Sequence, residues 1–323
     1  MLSVAVLSLH TCPLAALGGK ETGGMNVYVR EMARELGRMG VQVDVFTRSQ
    51  NREIPRVVPL GENSRVIHLP AGPEATIPRE EAYRHVPEFV ANLEAFSCRE
   101  GLTYDLLHSH YWLSGVAGLI LKARFRVPLI QMFHTLGQLK NHVARSAAEL
   151  EPGLRIAEET RIIREADRIV AANAVERAHL VWYYGAESDR IAVIPCGVDT
   201  ELFRPLDRGE AKGALSLGPE PLLLYVGRLT PIKGLETLLE AMTRLRRNAR
   251  YGNLRLLVVG GDADEPENGH AAFLMERVTA LGLGGGVRFL GPQPQERLRL
   301  YYAAARMTIM PSSYESFGMV ALE

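Results

Sequence analysis

The sequence predicts an α/β protein built as two doubly wound parallel-sheet domains, residues 1–196 and 197–323. Three observations carry that expectation. Short apolar runs alternate with stretches of helical period, which is the pattern of βαβ units. The alternation stops at a turn-rich segment, Pro195-Cys196-Gly197-Val198-Asp199, and later starts again. A chain of 323 residues is long enough for two cores. In such sheets ligands sit beyond the carboxyl ends of the strands, so two such domains facing each other make a cleft.

In the first half, residues 3–9 read as a buried strand that leads into a glycine-bearing loop. A helix is expected over 25–39, where Val27, Ala33 and Leu36 recur at roughly helical spacing and Gly40 marks the end. Strands are expected at 41–47 and 66–69, a helix at 81–99, a strand at 106–108 and a helix at 113–123. A strand at 128–134, a helix at 155–166 and strands at 168–172 and 191–194 complete this half. A looser stretch runs to Pro221. The second series then has strands at 222–227, 254–261, 287–290 and 307–310, with helices at 235–247, 271–280 and 295–305. No tandem short-period repeat or low-complexity tract interrupts it.

Lys plus Arg equals Asp plus Glu at 37 each, so the basic excess expected of a nucleic-acid binder is missing. The run Arg244-Leu245-Arg246-Arg247 reads as a solvated helix face. Cys12, Cys98 and Cys196 are far apart and suggest neither a metal site nor a disulfide framework, which points to a reducing cytoplasm. The apolar residues 1–9 lack a basic flank and a cleavage site, and no segment has membrane-spanning length.

Three stretches could carry chemistry. The first, Gly18-Gly19-Lys20-Glu21-Thr22-Gly23-Gly24-Met25, lies between a strand and a helix, where glycines let backbone N–H groups approach a phosphate. It has neither the Walker ending nor the G-x-G-x-x-G spacing, and a flexible loop is the alternative reading. The second is Val226-Gly227-Arg228-Leu229-Thr230-Pro231-Ile232-Lys233-Gly234. Arg228 and Lys233 would emerge at the carboxyl end of the sheet, where two cations could neutralise a diphosphate; solvated surface charges are the alternative. The third runs from Pro311 to Glu323, with a helix expected from about Phe317-Gly318, Glu315 in the loop before it and Glu323 inside it. Carboxylates accept from vicinal sugar hydroxyls, and the same pair could serve a glycosidase. His108 and His110 share a strand face, but no third metal ligand follows from spacing, so no metal is expected. His134 ends a strand, where ligand groups gather.

Taken together these stretches resemble the retaining glycosyltransferases of family 4. The resemblance rests on the E-x₇-E pattern from Glu315 to Glu323, on Gly-Arg-Leu-Thr-Pro-Ile-Lys-Gly and on Pro-Cys-Gly-Val-Asp-Thr-Glu-Leu-Phe. It implies the GT-B architecture of two Rossmann-like domains, the first for acceptor and the second for nucleotide sugar. Gly23-Gly24-Met25-Asn26-Val27-Tyr28-Val29 is similar to sucrose-phosphate synthases, sucrose synthases and the inositol-phosphate N-acetylglucosaminyltransferases of mycothiol synthesis. The run His108 to Gly115, and His134-Thr135-Leu136-Gly137 with Lys140-Asn141, resemble the last of these most.

The resemblance implies roles residue by residue. Arg228 and Lys233 would hold the donor diphosphate, Glu315 the hydroxyls of the transferred sugar and Glu323 those of the ribose. The amides at Phe317, Gly318 and Met319 would help hold sugar or phosphate. Gly23 and Gly24 would approach the diphosphate, and His134 the anomeric centre. His134, Glu315, Arg228 and Lys233 form the implied catalytic set. Asn26, Arg79, Tyr111, Thr135 and Arg155 would bind a small acceptor, with Arg79 standing where the family has Lys. The implied chemistry is metal-independent and cofactor-free transfer from a UDP-sugar to a phosphorylated or sugar acceptor, with retention at the anomeric carbon. Preorganised cations and amides would stabilise the departing diphosphate. The rivals are a sucrose-phosphate or sucrose synthase using UDP-glucose, a glycosidase, and a non-catalytic nucleotide-sugar binding fragment. A homodimer is possible. The chain ends at Glu323, inside the implied donor site, and a weakly binding fragment is expected on that account.

Overall fold

Each half of the chain lays its apolar runs side by side as parallel strands, and the computed structural model describes residues 1–15, 22–261 and 270–323 of this arrangement. Two compact units result: Met1–Ala15 with Met25–Cys196, and a second that contains Gly197–Glu323.

In the first unit the strands are β1 (Ser3–Leu7), β2 (Gln42–Arg48), β3 (Val57–Gly61), β4 (Ser64–Leu69), β5 (Leu106–His110), β6 (Leu129–Met132), β7 (Arg168–Ala171) and β8 (Ile191–Val193). They form one sheet in the order β3-β4-β2-β1-β5-β6-β7-β8, with every pairing parallel except β3 on β4. The helices are α1 (Gly24–Arg38), α2 (Arg79–Arg84), α3 (Val86–Arg99), α4 (Tyr111–Phe125), α5 (Gly137–Val143), α6 (Gly153–Glu165) and α7 (Ala174–Tyr184). Valines of β1, β2 and β4 pack with Val29 and Ala33 of α1 to form a core on one side of this sheet.

The single helix expected over 81–99 is two, α2 and α3, hinged at His85. Pro87 explains the break: it has no N–H to donate and fits only a first helical turn. β3, α5 and α7 are additional to the expected elements, and β5 runs two residues further, to His110.

The second unit has α8 (Arg208–Ala214), β9 (Leu222–Val226), α9 (Leu235–Arg246), β10 (Arg255–Val259), α10 (His270–Ala280), β11 (Val287–Phe289), α11 (Gln295–Ala304), β12 (Met307–Thr308) and α12 (Met319–Leu322). The parallel sheet runs β11-β10-β9-β12. Alternate residues of β10 serve opposite faces. Leu256 and Val258 pack with α9 and α10, and Leu257 and Val259 pack with α8 and α11. Burial on both faces is why these strands read as unbroken apolar runs. In each sheet the strand order reverses beside the unit's first strand, between β1 and β5 and between β9 and β12. Those are the switch points at which doubly wound sheets open a crevice.

Candidate active site

At the switch point of the second unit, two loops are tied together. One follows β9 and contains Arg228 and Lys233; the other follows β12 and contains Glu315. Ser313 N–H donates to the Ile232 carbonyl at 2.8 Å. Gly234 sits at φ +69°, and a Cβ there would lie 2.1 Å from the Pro311 carbonyl oxygen, so only glycine lets the loops approach this closely. Lys233 Nζ is 2.5 Å from Glu315 Oε2, and Ser312 Oγ donates to that same oxygen at 3.2 Å. Tyr225 donates to the carbonyl of Arg228 at 2.8 Å. Gly318, at φ +84°, turns the chain into α12, so that Phe317, Gly318 and Met319 bracket the start of that helix. Glu323 follows α12 instead of lying inside it. Its Oε2 accepts from the Tyr302 hydroxyl at 2.8 Å and its Oε1 from Gln295 at 3.3 Å. Burial raises its pKa, with those two hydrogen bonds acting against the rise. The two carboxylates of the E-x₇-E pattern thus differ: Glu315 meets a cation, whereas Glu323 meets neutral donors.

In the first unit the carboxyl ends of β5 and β6 bring Tyr111, His134 and Thr135 together with the buried arginine of α6. Tyr111 (φ +72°) and His134 (φ +61°) both sit in left-handed backbone that costs a non-glycine residue about 1–2 kcal/mol. Strain of this kind gathers at functional positions. Arg155 is 2% exposed. Its Nε donates to Glu159 at 2.7 Å, its Nη2 to the Thr135 carbonyl at 2.9 Å and to Thr135 Oγ1 at 3.0 Å. Its guanidinium also lies over the Tyr111 ring, 4.9 Å from the centroid. Arg79 approaches the same ring at 5.8 Å. Glu159 is fully buried and accepts in addition from Gly137 N–H at 2.9 Å and from the Tyr184 hydroxyl. A Cβ at Gly137 would lie 3.2 and 3.3 Å from Glu159 and Arg155, so those side chains would have to give by a few tenths of an ångström to admit one.

His134 Nε2 lies 2.9 Å from His110 Nδ1, so one ring donates a hydrogen bond to the other. The His108 ring lies against His110 with centroids 4.3 Å apart and planes tilted by 48°, and Tyr28 meets both His110 and His134 edge-on. Burial pushes His108 down to about 4 and His134 to about 3, and it holds His110 well below the ordinary histidine value. These imidazoles are therefore neutral near pH 7. Among the described residues no three His, Cys, Asp or Glu side chains are grouped to hold a metal ion.

The structure thus joins Arg79, Tyr111, Thr135 and Arg155 in one cluster, and Lys233 with Glu315 in another. Asn26 is buried, and its amide holds the loop after β1 by donating to Thr11 Oγ1 (2.7 Å) and the Cys12 carbonyl (2.8 Å). Gly23 and Gly24 stand at the start of α1, while Gly18 to Glu21 lie outside the described residues. Sequence reasoning did not single out Glu151, Glu159 or Tyr184. The four-residue spacing of Arg155 and Glu159 was the available signal, since such residues share a helix face.

Residues 22–202 match the Glycosyltransferase Family 4 domain and residues 207–323 match Glycosyl transferases group 1. The chain belongs to this glycosyltransferase family. It is 42% identical to the D-inositol 3-phosphate glycosyltransferase of Nocardia farcinica, covering 99% of this chain and 71% of that protein. It is 41% identical to the enzyme of the same name from Nocardiopsis dassonvillei, covering 99% and 75%. The sucrose-phosphate synthase of Thermosynechococcus elongatus matches with a TM-score of 0.90 and 35% identity, over 99% of this chain and 78% of that one. Anabaena HepE, solved with UDP-glucose, shares the fold at a TM-score of 0.70 and 20% identity, over 99% and 77%. The GT-B fold and glycosyltransferase activity expected from the sequence therefore hold. No described helix of this family member is long and apolar enough to cross a membrane.

Proposed function

We propose that this glycosyltransferase moves a hexose or N-acetylhexosamine from a UDP-sugar to a small phosphorylated acceptor such as inositol phosphate, with retention and without a metal. The first unit would take the acceptor and the second the nucleotide sugar. Arg155 carries this reading, because its buried guanidinium, set against Tyr111 and Thr135, suits a phosphate and has little use for a neutral sugar. The names of its relatives at 42% and 41% identity support the same acceptor.

In this mechanism Arg228 and Lys233 neutralise the departing diphosphate. Glu315 accepts from sugar hydroxyls and orients Lys233. Glu323, whose pKa burial raises, is read as the ribose partner, and the amides of Phe317, Gly318 and Met319 as donors to the sugar or phosphate. Gly23 and Gly24 leave room for the diphosphate, and Asn26 holds the loop beside the acceptor. His134, a neutral imidazole, is assigned to the anomeric carbon in this reading. The acceptor hydroxyl attacks the face that the diphosphate leaves, and a leaving phosphate oxygen takes its proton. No protein nucleophile is needed. We read the enzyme as cytoplasmic, where its three free thiols would stay reduced.

A second reading, sucrose-phosphate synthesis from UDP-glucose, is favoured by the TM-score of 0.90 to a sucrose-phosphate synthase. A UDP-release screen of several nucleotide sugars against inositol phosphate, fructose 6-phosphate and fructose separates the two. Release with inositol phosphate is expected. Release with fructose 6-phosphate alone would establish the second reading instead.

A further inference from the structure

Two histidines at neighbouring strand ends are joined ring to ring, and their surroundings decide which ring donates. β5 ends at His110, which pairs with Met132 at the end of β6, and His134 follows that strand by two residues. The left-handed backbone at His134 (φ +61°) turns the chain there. His110 is fully buried, whereas His134 is partly exposed. The 2.9 Å contact between His110 Nδ1 and His134 Nε2 is the one hydrogen bond that either ring makes among the described residues.

Both rings are neutral near pH 7, so each carries a single proton. Two arrangements are then open. In the first, His134 donates from Nε2, and His110 carries its own proton on Nε2. In the second, His110 donates from Nδ1 and its Nε2 is a bare lone pair, while His134 carries its proton on Nδ1. His110 Nε2 is buried and has no partner among the described residues. His108 and Tyr28 lie against the His110 ring, but neither forms a hydrogen bond with that nitrogen. The first arrangement would therefore orphan a buried N–H, which folded proteins rarely do. The second leaves only an unused acceptor, which is better tolerated.

We propose that His110 is a positioning residue that holds His134 in the tautomer protonated on Nδ1. His134 then meets the substrate as a hydrogen-bond donor. Its one lone pair is already engaged by His110, so it has none with which to act as a base. This rests on the assignment of His134 to the reacting end of the sugar. It fits a transfer in which a leaving phosphate oxygen, and no side chain, takes the acceptor's proton. An N–H aimed at a substrate oxygen that gains charge would add to the stabilisation supplied by the cations.

Long-range nitrogen–proton correlation spectra of the isotope-labelled chain read the tautomer directly. His134 should show a protonated Nδ1 and an unprotonated Nε2. His110→Leu fills the space but removes the donor, and should move the His134 signals towards a mixture of tautomers. In the UDP-release assay the same variant should lower kcat about tenfold or more, with smaller changes in KM. His110→Asn, whose amide nitrogen can stand where Nδ1 stood, should restore most of that loss. Thermal melting checks that each variant is folded, and the spectrum of the unaltered chain decides the tautomer if one is not. A His134 protonated on Nε2 in the unaltered chain would overturn the positioning role. So would turnover indifferent to His110→Leu, or an equal loss in His110→Leu and His110→Asn. In those cases a loss of turnover in His134→Ala would leave the assignment of His134 standing. Full turnover by His134→Ala would overturn that assignment and the proposal with it.

Discussion

Replacing Glu159 by Gln tests how the arginine at the centre of the first unit is held. The two side chains have nearly the same shape, so packing is preserved while one charge disappears. In the native chain Glu159 accepts from Arg155 Nε, Gly137 N–H and the Tyr184 hydroxyl. A glutamine keeps one carbonyl oxygen, which can still meet Arg155. Its amide group then points at the Gly137 N–H, so one buried donor faces another. An orphaned buried donor costs about 1–3 kcal/mol. A charge left in a buried site without its partner costs about 3–5 kcal/mol, and Glu151 close by on the other side of Arg155 offsets part of that. The expected loss is therefore about 3 kcal/mol, or a fall in the melting midpoint of roughly 6–12 °C for a unit of this size. The two tryptophans of the chain, Trp112 and Trp182, both lie in the first unit, so intrinsic fluorescence follows this unit alone. Trp112 is buried 6.2 Å from the Tyr111 ring and reports on the site directly. A loss below about 1 kcal/mol would refute the reasoning, because Arg155 would then be held by something other than Glu159.

Lys233→Ala and Arg228→Ala should each lower turnover at least tenfold while leaving the melting of the chain nearly unchanged; full activity in both would remove the diphosphate assignment. Arg155→Ala should raise the KM for the acceptor more than it lowers kcat, and unchanged acceptor kinetics would contradict the clamp. The buried imidazoles make the first unit sensitive to acid. His108 and His134 take up protons near 4 and 3 when folded, but near 6.5 when unfolded, so the unfolded chain binds more protons in between. Their contribution is fully present above pH 6.5 and is lost as the pH falls towards 4. Glu176, pushed up to about 7 by burial, works in the opposite sense between 4.5 and 7. Urea midpoints measured by fluorescence at pH 7.5 and pH 5 should therefore differ less in His108→Asn than in the unaltered chain, and an identical difference would tell against neutral burial. Gly234→Ala should destabilise the second unit by roughly 2 kcal/mol or more, because its Cβ would strike Pro311 and φ is positive. Faster amide exchange in α9 is the expected sign, and native protection there would show that the loops can part without cost.

Much of this was legible from residue order. The apolar runs of β9 and β10, and the restart after Pro195, are direct consequences of strands buried on both faces. Lys233 and Glu315 were placed at strand ends by the same logic. β3 was not legible, because Pro59 interrupts its five residues and a proline argues against a strand unless the strand lies at an edge. α8 holds two glycines in seven residues, and that weakens its helical pattern. α7 did carry signals: Asn173 accepts from the Glu176 N–H at 2.8 Å, and Gly185 closes the helix at φ +68°. Its apolar face is shallow, with Val175 and Trp182 exposed, and for that reason periodicity missed it. The Arg155 cluster could not be found by spacing alone. Tyr111, Thr135 and Tyr184 reach it from three separate elements, and only the fold brings them together.

The antiparallel edge strand has a consequence for how the protein behaves in a crowded solution. An eight-stranded sheet offers two rims of unpaired backbone groups, and each could template a strand from another molecule. On one rim β3 carries Pro59, which has no N–H to offer, and its pairing with β4 is irregular between Pro59 and Gly61. On the other rim β8 is only three residues long. Neither rim gives an incoming strand a regular row of donors and acceptors. The sheet can therefore grow broad enough to position residues at the ends of β5 and β6 while its own margins resist adding chains and nucleating aggregates.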